Sequence, residues 1–475
     1  MVKFFRLYFP LAHVMLLILE GLVFLSSVTI GSSLRGVFIH DGLIFDSHNI
    51  IWKSLFFMLV MVLSMVVMGM YRRNLHFHNM LDVLIRIVIG FAFGWVVFSL
   101  IFYLFPNLFI RRGVLASAMF FSFAGILLTR SLYIILSNYR LLKKRVLVIG
   151  AGKNASQLQG LGIKKAKYGF DILGYVHIFG EHDVIPKEQI LAPETSLVDL
   201  CQELDVDEIV VAVDDRRKSF PVDEILECKM EGIDVTDLVM FFERQTGKIK
   251  LDALHPSSLI FTDGFNKILA NNVTKRTFDI VASLIILLFS LPVMLLAVIS
   301  ILLESKGKGN VFYIQDRVGK NGKVFKLIKF RTMDEDAEAD GLPRWSNKDD
   351  DRMTSNGMVL RYLRIDETPQ LINVLMGDMS LIGPRPERPE FVNQLSQIIP
   401  FYKMRHRVKP GLSGWAQISY PYGSSEEDAI EKLQYDLYYM KNYSMMFDIF
   451  VLLQTAAAIF FGTSHSSKNS NQDKL

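Results

Sequence analysis

Four long apolar runs fill the first 140 residues, at about 10–30, 51–70, 81–105 and 113–136. Each can cross a bilayer as a helix, which takes roughly 20 residues, and four crossings return the chain to the side it started from. The cations agree with that count. Lys3, Arg6, Arg72, Arg73, Arg140, Lys143, Lys144 and Arg145 fall on the starting side, against Arg35, Lys53, Arg111 and Arg112 opposite. The positive-inside rule therefore puts both ends of the bundle in the cytoplasm. No small-residue cleavage site follows the first run, so it is expected to be a retained helix. Arg86 and Arg130 lie within the runs, where packing inside the bundle or snorkelling is expected and a lipid-headgroup or substrate role is the alternative.

From Lys144 the pattern changes to RVLVIGAGKNA, a buried strand at 146–149 followed by Gly150, Ala151, Gly152 and Ala155 opening a helix. Strand-like runs at 172–176 and 208–213 alternate with helical stretches at 196–204 and 222–231. That alternation predicts a parallel sheet with crossover helices, a Rossmann-like α/β domain. A dinucleotide site also wants an acid at the end of the second strand, to hold the ribose. Here that strand ends near Val176 and His177, with Asp171 at its wrong end. A structural, regulatory or dimerising role is favoured over cofactor binding.

A further apolar run, 278–303, has Pro292 at its middle and cations at both ends: Lys275 and Arg276 before it, Lys306 and Lys308 after it. Proline inside a helix costs about 3 kcal/mol and kinks or breaks it. Cytoplasmic-looking flanks on both sides fit a re-entrant hairpin that turns near Ser290 and Pro292 and returns to the face it left, with an ordinary fifth span as the alternative. The last apolar run, 445–461, is interrupted by Asp448 and Gln454 and is expected to be an interfacial or docked helix. The tail at 463–475 reads as disordered.

Composition narrows the class. With 51% hydrophobic residues, 36 Phe, 21 Met and a mean hydropathy of +0.30, the 475-residue chain reads as a membrane protein with substantial soluble parts. A net charge of +4 gives no case for nucleic-acid binding. Cys201 and Cys228 fall in the domain placed in the cytosol, where reduced structural thiols are expected.

The chemistry concentrates around LRIDETPQLINVLMG, residues 363–377. Thr368 is expected to cap a helix with Pro369 at its first position, Leu371, Ile372, Val374 and Leu375 buried, and Gly377 ending it. Asp366 and Glu367 immediately precede that start. Separated cations surround them in sequence: Arg317 in QDRVGKNG, Lys329 and Arg331 in KFRTM, Arg361 and Arg364 before the acids, and Arg385 between Pro384 and Pro386 in GPRP. Arginine forks bind phosphate oxygens in pairs and lysine acts as a point charge, which suits a diphosphate held close to a carboxylate. The acidic run Asp334, Glu335, Asp336 and Glu338 is expected to be solvated, and His76 and His78 to be interfacial. His406 is open between a phosphate contact and a structural hydrogen bond. Pro410, Gly411 and Gly414 predict a rigid turn presenting Trp415 and Gln417 to membrane interface or substrate.

KRTFDIV with its proline-broken run, QDRVGKNG, KFRTM, DETPQLINVLMGDMSLIGPRPERPEF and KPGLSGWAQ resemble, in order and spacing, the bacterial polyprenyl-phosphate sugar phosphotransferases, also called monotopic phosphoglycosyl transferases. The resemblance covers about residues 271–462. The upstream parts resemble the larger members, and YPYGSSEEDA with LQYDLYYMKNYS resembles those linked to exopolysaccharide assembly. It implies a four-span membrane helical bundle (1–140), a cytoplasmic Rossmann-like α/β domain (141–268), a mixed α/β catalytic domain with a re-entrant membrane helix (269–462) and a tail (463–475), in the bacterial inner membrane as a homodimer.

The reaction it implies transfers a sugar 1-phosphate, a hexose, from a UDP-sugar to undecaprenyl phosphate. Asp366 would be the nucleophile, Glu367 its partner with a role left open, Arg317, Lys329, Arg331, Arg361 and Arg385 between Pro384 and Pro386 the phosphate site, and Mg2+ would sit at Asp366. Leu291 separates Ser290 from Pro292, where the family usually has an adjacent Ser-Pro pair, and Thr368 replaces a common leucine.

Overall fold

The computed structural model describes residues 2–4, 7–9, 11–38, 47–71, 80–137, 143–162, 169–179, 181–191, 196–215, 220–251, 272–307, 309–333, 352–420, 423 and 425–461. Arg6, Arg72, Arg73, His76, His78, Arg140, Lys308, the acidic run 334–338 and the tail 463–475 lie outside the described residues. The described chain forms two compact units that change over between Gln245 and Thr246.

The first unit contains the four expected apolar helices, Leu11–Phe38, Ser47–Val67, Met80–Leu104 and Arg112–Ser137. All four are long and apolar enough to cross a membrane. Leu22, Trp95, Phe120 and Leu128 point outward, while Phe24, Phe57, Phe98, Met61 and Ile126 fill the interior. Gly31 lets the first and fourth helices approach, since a β-carbon there would run into Ser117, the small-residue contact that helix pairs in lipid favour. Arg130 packs inside the bundle, as expected. Its Nε lies 2.6 Å from Glu20 Oε1, its Nη1 donates to the Met70 carbonyl at 3.2 Å, and Tyr71 donates to the same Glu20. Arg86 donates to the Met68 carbonyl at 3.0 Å.

The same unit holds a five-stranded parallel sheet in the order Ile190–Leu191, Phe170–Val176, Lys144–Ile149, Glu208–Val211, Asp234–Asp237. By chain order this is 3-2-1-4-5, the doubly wound arrangement. The first strand carries no alternation because both faces are covered: Val146 and Val148 pack on one side, Leu147 and Ile149 on the other. The two edge strands escape hydrophobic reading because one spans two residues and the other is DVTD.

At the glycine loop, Gly150 has φ +114°, and the donors that would face a pyrophosphate are already engaged. Lys153 N and Asn154 N donate to the Asp214 carboxylate at 2.9 and 2.7 Å, and Ala151 N and Asp214 N donate to Glu181 at 3.3 and 2.6 Å. Cys201 and Cys228 are free thiols buried under the sheet.

In the second unit, Thr246 to Ile249 are bonded in ahead of residue 269: Ile249 N donates to the Gln434 carbonyl at 3.1 Å and Lys248 pairs with Glu431 at 2.6 Å. The proline-containing run is one continuous helix, Asn272–Glu304, with Pro292 inside it. Both of its ends are tied to this unit. Arg276 donates to the Val374 and Leu375 carbonyls at 2.5 and 2.6 Å, and buried Asp279 accepts from Ser380 Oγ and Leu381 N. At the other end Asn356 N donates to Glu304 at 3.1 Å, and Ala297 and Ile301 pack on Phe330 and Leu360. Between them Leu288, Phe289 and Leu296 are exposed. The helix runs unbroken through Ser290 and Pro292, so any change of direction there is made within helical residues.

An antiparallel hairpin follows, Phe312–Val318 with Val324–Phe330. Next come a helix Ser355–Tyr362, the acid pair, a helix Gln370–Met376 and a parallel strand pair Ser380–Ile382 with Gly411–Ser413. Helices Pro389–Ile398, Trp415–Ser419, Glu426–Lys441 and Met445–Phe461 complete the unit. The last one is docked. Asp448 and Gln454 are both 1% exposed, and Asp448 accepts from Lys275 Nζ and Tyr439 OH at 2.7 Å each. The interrupting polar residues thus point into protein.

Candidate active site

Asp366 and Glu367 lie in a short 3-10 turn, Ile365–Glu367, that Arg364 enters with φ +56°. That left-handed residue stops the Ser355–Tyr362 helix and turns the chain, while Ile365 anchors the turn beside Phe330 and Leu360. The expected threonine cap is not made. Thr368 is already helical at φ −60°, ψ −32°, and its hydroxyl donates back to the Ile365 carbonyl at 2.7 Å; Pro369 takes the capping position. The 3-10 turn runs straight into the helix, leaving no extended residue for a cap.

The buried face of that helix also differs from expectation. Leu371 and Val374 are buried, but Ile372 is exposed and Leu375 half-buried, with Gln370 and Asn373 taking the inward places. Asn373 accepts from Ile328 N at 3.0 Å and donates to the Lys326 carbonyl at 2.8 Å, stitching the helix to the hairpin. Gly377 ends the helix at φ +100°, as read from the sequence.

The hairpin supplies the cations by its period of two. Leu327 and Lys329 share one face, and the register sets Arg317 opposite Phe325 on that same face. Arg317, Leu327, Lys329, Gln370, Arg385, Pro386 and Gly411 line an open cleft of about 220 Å³. Arg385 Nη2 donates to Glu367 Oε1 at 2.8 Å. Arg317 spends much of its fork on scaffolding: Nη1 donates to the Pro386 carbonyl at 3.1 Å and Nη2 to Gln315 at 2.7 Å, with Glu387 3.7 Å away. Pro384 accepts from Gly411 N at 2.9 Å. Arg361 approaches from the end of its helix, with Nη1 3.2 Å from Met353 Sδ, and its charge acts on Asp366. Arg331, Arg361 and Pro384 do not line the cleft, and neither do Asp366 and Glu367, which sit behind Lys329 and Arg385 and act on them by charge and, for Glu367, through the ion pair with Arg385.

The two acids are driven apart. Burial and the neighbouring Glu367 charge push the Asp366 carboxyl up to about 6, against the pull of Lys329, Arg361 and Arg385. Burial also opposes ionisation of Glu367, but Arg385, Lys329 and Arg364 outweigh it and hold that carboxyl well below the usual range. Burial brings Lys329 down to about 8, against the raising pull of Glu367. One acid is therefore a fixed anion in an ion pair. The other is a buried carboxylate, 6% exposed, that gains from any cation or electrophile brought to it.

Among the described residues Asp366 has no hydrogen-bond partner, and no group of three or more His, Cys, Asp or Glu side chains is placed to hold a metal. One buried carboxylate without a cage fits magnesium, which usually takes one or two carboxylates and keeps water and substrate phosphates for the rest.

Gln370, Leu327 and Gly411 were not singled out from the sequence as cleft residues. Gln370 follows Asp366 by four positions, a spacing that helical periodicity puts on one side. Trp415 packs against Phe447 at 5.2 Å and donates to the Gly247 carbonyl at 2.8 Å, and it is not among the residues lining the cleft. His406 stacks edge-on to Tyr402, and burial and Arg405 bring it down to about 4, so it carries no charge for a phosphate at neutral pH; its Nε2 has no partner among the described residues.

Comparison with known proteins places this site in context. The family model described as bacterial sugar transferase matches residues 270–462. A UDP-N-acetylgalactosamine-undecaprenyl-phosphate N-acetylgalactosaminephosphotransferase from Aeromonas hydrophila is 40% identical over 241 residues, half of this chain and 55% of that protein. A UDP-glucose:undecaprenyl-phosphate glucose-1-phosphate transferase from Escherichia coli is 40% identical over 189 residues, 39% of this chain and 40% of that protein. One of the same name from Klebsiella pneumoniae is 31% identical over 331 residues, 68% of this chain and 69% of that protein. The chain thus spans about half, or less, of the first two relatives and about two thirds of the third.

Proposed function

The chain belongs to the bacterial sugar transferase family, and from that membership we propose that it moves a sugar 1-phosphate from a UDP-sugar to undecaprenyl phosphate, releasing UMP and beginning a surface polysaccharide. The observation that carries the mechanism is the split acid pair: a buried carboxylate with a raised pKa beside a carboxylate locked to Arg385.

Asp366 attacks the β-phosphorus of the UDP-sugar, and the bond from that phosphorus to the bridging oxygen breaks. UMP leaves with the electron pair, and the sugar phosphate stays on the aspartate as an acyl phosphate. An oxygen of undecaprenyl phosphate then attacks the same phosphorus and the carboxylate departs unchanged. Dividing one phosphoryl transfer into two steps is the use of a carboxylate nucleophile. The barrier is lowered by charges already in place, because Lys329 and Arg385 line the cleft where equatorial phosphoryl oxygens gather charge. Glu367 holds the Arg385 guanidinium in position. Magnesium bound at Asp366 would neutralise diphosphate charge and orient it.

The membrane helices fit the acceptor. A lipid-borne phosphate is reached from a helix whose middle is apolar and exposed and whose two ends are fastened to the catalytic unit. We read that helix as re-entrant, entering and leaving at the cytoplasmic face of the inner membrane.

The test is product analysis with UDP-glucose and UDP-N-acetylgalactosamine as donors, the two sugars of the relatives. UMP release and a sugar-phosphate adduct on the protein are expected, both lost in Asp366→Asn. UDP in place of UMP, or an adduct that survives in the variant, would sink the reading.

A further inference from the structure

The turn that presents Arg385 is gripped along its backbone. The carbonyls of four successive residues are each taken by a donor from elsewhere: Pro384 by Gly411 N at 2.9 Å, Arg385 by Arg405 Nη2 at 3.2 Å, Pro386 by Arg317 Nη1 at 3.1 Å and Glu387 by Val318 N at 2.9 Å. Three of these donors sit on the cleft or on the strand that carries Arg317. Arg405 does not line the cleft, and at 5% exposed it lies in the protein behind the turn.

Keeping a guanidinium there is expensive. Its charge is met by Asp436 on the Glu426–Lys441 helix, 2% exposed, in an ion pair at 2.8 Å; Nη1 donates to Tyr402 OH at 2.7 Å, and the Tyr402 ring lies under the guanidinium at 5.2 Å. A buried ion pair seldom stabilises more than well-packed apolar residues of the same volume, because both charges lose their water. What an apolar pair cannot do is hold the Arg385 carbonyl from a fixed direction. Prolines on either side of Arg385 already restrict the chain, the following one by disfavouring helical dihedrals at Arg385 itself. Fixing the carbonyl as well sets the direction in which the Arg385 side chain leaves the backbone, toward Glu367.

Resting on the phosphotransfer reading above, we propose that Arg405, itself fixed by Asp436, is a positioning residue that locks the Arg385 main chain so that its guanidinium meets Glu367 and the donor phosphates. Arg405 neither lines the cleft nor bonds to Asp366 or Glu367, and acts only through Arg385.

A double-mutant cycle on the full-length protein tests this. With UMP release as readout, Arg405→Met is expected to lower kcat/KM by about 100-fold, the scale on which a displaced catalytic group is felt. Because it acts through Arg385, the double variant Arg405→Met with Arg385→Met should lie within about twofold of Arg385→Met alone, where independent roles would multiply. Arg405→Lys, which keeps the charge for Asp436, should recover part of the loss. Asp436→Asn, a milder change, should move kcat/KM in the same direction.

Losses that multiply, or an Arg405→Met enzyme as active as wild type, would overturn the proposal. Hydrogen–deuterium exchange decides it without any activity. Faster exchange across 383–388 is expected in Arg405→Met combined with Asp436→Leu, which leaves no buried charge unpaired, and unaltered exchange at 383–388 overturns it. Failure of the wild type to release UMP would instead count against the reaction, leaving the exchange result to judge the positioning role.

Discussion

Two adjacent acids of nearly equal intrinsic strength do different work because of what faces each. Glu367 points at the Arg385 fork; Asp366 is buried beside Glu367's charge. In the proposed reaction Asp366 must be ionised, so kcat/KM is expected to rise with pH through about 6. Lys329 must keep its proton, so kcat/KM is expected to fall above about 8. A bell-shaped profile with its top between those values checks both assignments. Arg385→Met should flatten it toward inactivity and move the acid limb upward, because that charge helps ionise both acids. A flat profile from pH 5 to 9 would separate these groups from catalysis. The residue types at the site were legible in the sequence because acids and cations recur in short, separated motifs. Gln370 and Arg405 were not, because their contribution is a contact in space that neither composition nor charge announces.

Among the elements, apolar runs marked the helices, although the first helix continues from its run to Phe38. The other three bundle helices and the first sheet strand follow their hydrophobic runs closely, and the docked last helix has the bounds of its run, 445–461. The helix Gln370–Met376 did not, since its inner face carries Asn373 bonded to strand backbone rather than a fourth aliphatic side chain. Asn373→Leu would leave the part-buried Ile328 N–H and Lys326 carbonyl without their side-chain partner, at up to about 1 kcal/mol each. A lower melting temperature in detergent is expected, with greater loss than for the exposed neighbour Ile372→Ala; equal losses would refute the stitching role.

The glycine loop of the sheet domain makes the converse point. Its glycines alone would suit a nucleotide, yet its helix-opening donors face Asp214 and Glu181, and a negatively charged pyrophosphate would have to displace a carboxylate to reach them. Millimolar NAD or NADP is therefore expected to leave the melting curve of the full chain unchanged, and a saturable rise would show that the carboxylates yield.

At the scale of the whole molecule, the charge pattern and the catalytic logic constrain the same quantity, the number of crossings. Five helices are long and apolar enough to span, and an odd number of crossings would separate the sheet domain from the catalytic unit across the bilayer. The helix Asn272–Glu304 is tied to one catalytic unit through Arg276 and Asp279 at one end and Ser300 and Glu304 at the other. A crossing would ask parts of that single unit to meet the helix on opposite faces of a hydrocarbon core about 30 Å thick. The proposed re-entrant helix avoids that demand, because a helix that returns to the face it left keeps both of its ends on one side of the hydrocarbon core.

Membrane-impermeant maleimide labelling of spheroplasts measures this directly. Single cysteines at exposed Arg111, Glu231 and Asn310 are suited to it, with the two native cysteines, at 1% and 0% exposure, buried or replaced by alanine. Arg111→Cys should label in intact spheroplasts, while Glu231→Cys and Asn310→Cys should label only after lysis. Labelling of Asn310→Cys before lysis would make the proline-containing helix a fifth crossing, and would remove the cytoplasmic donor from reach of Asp366.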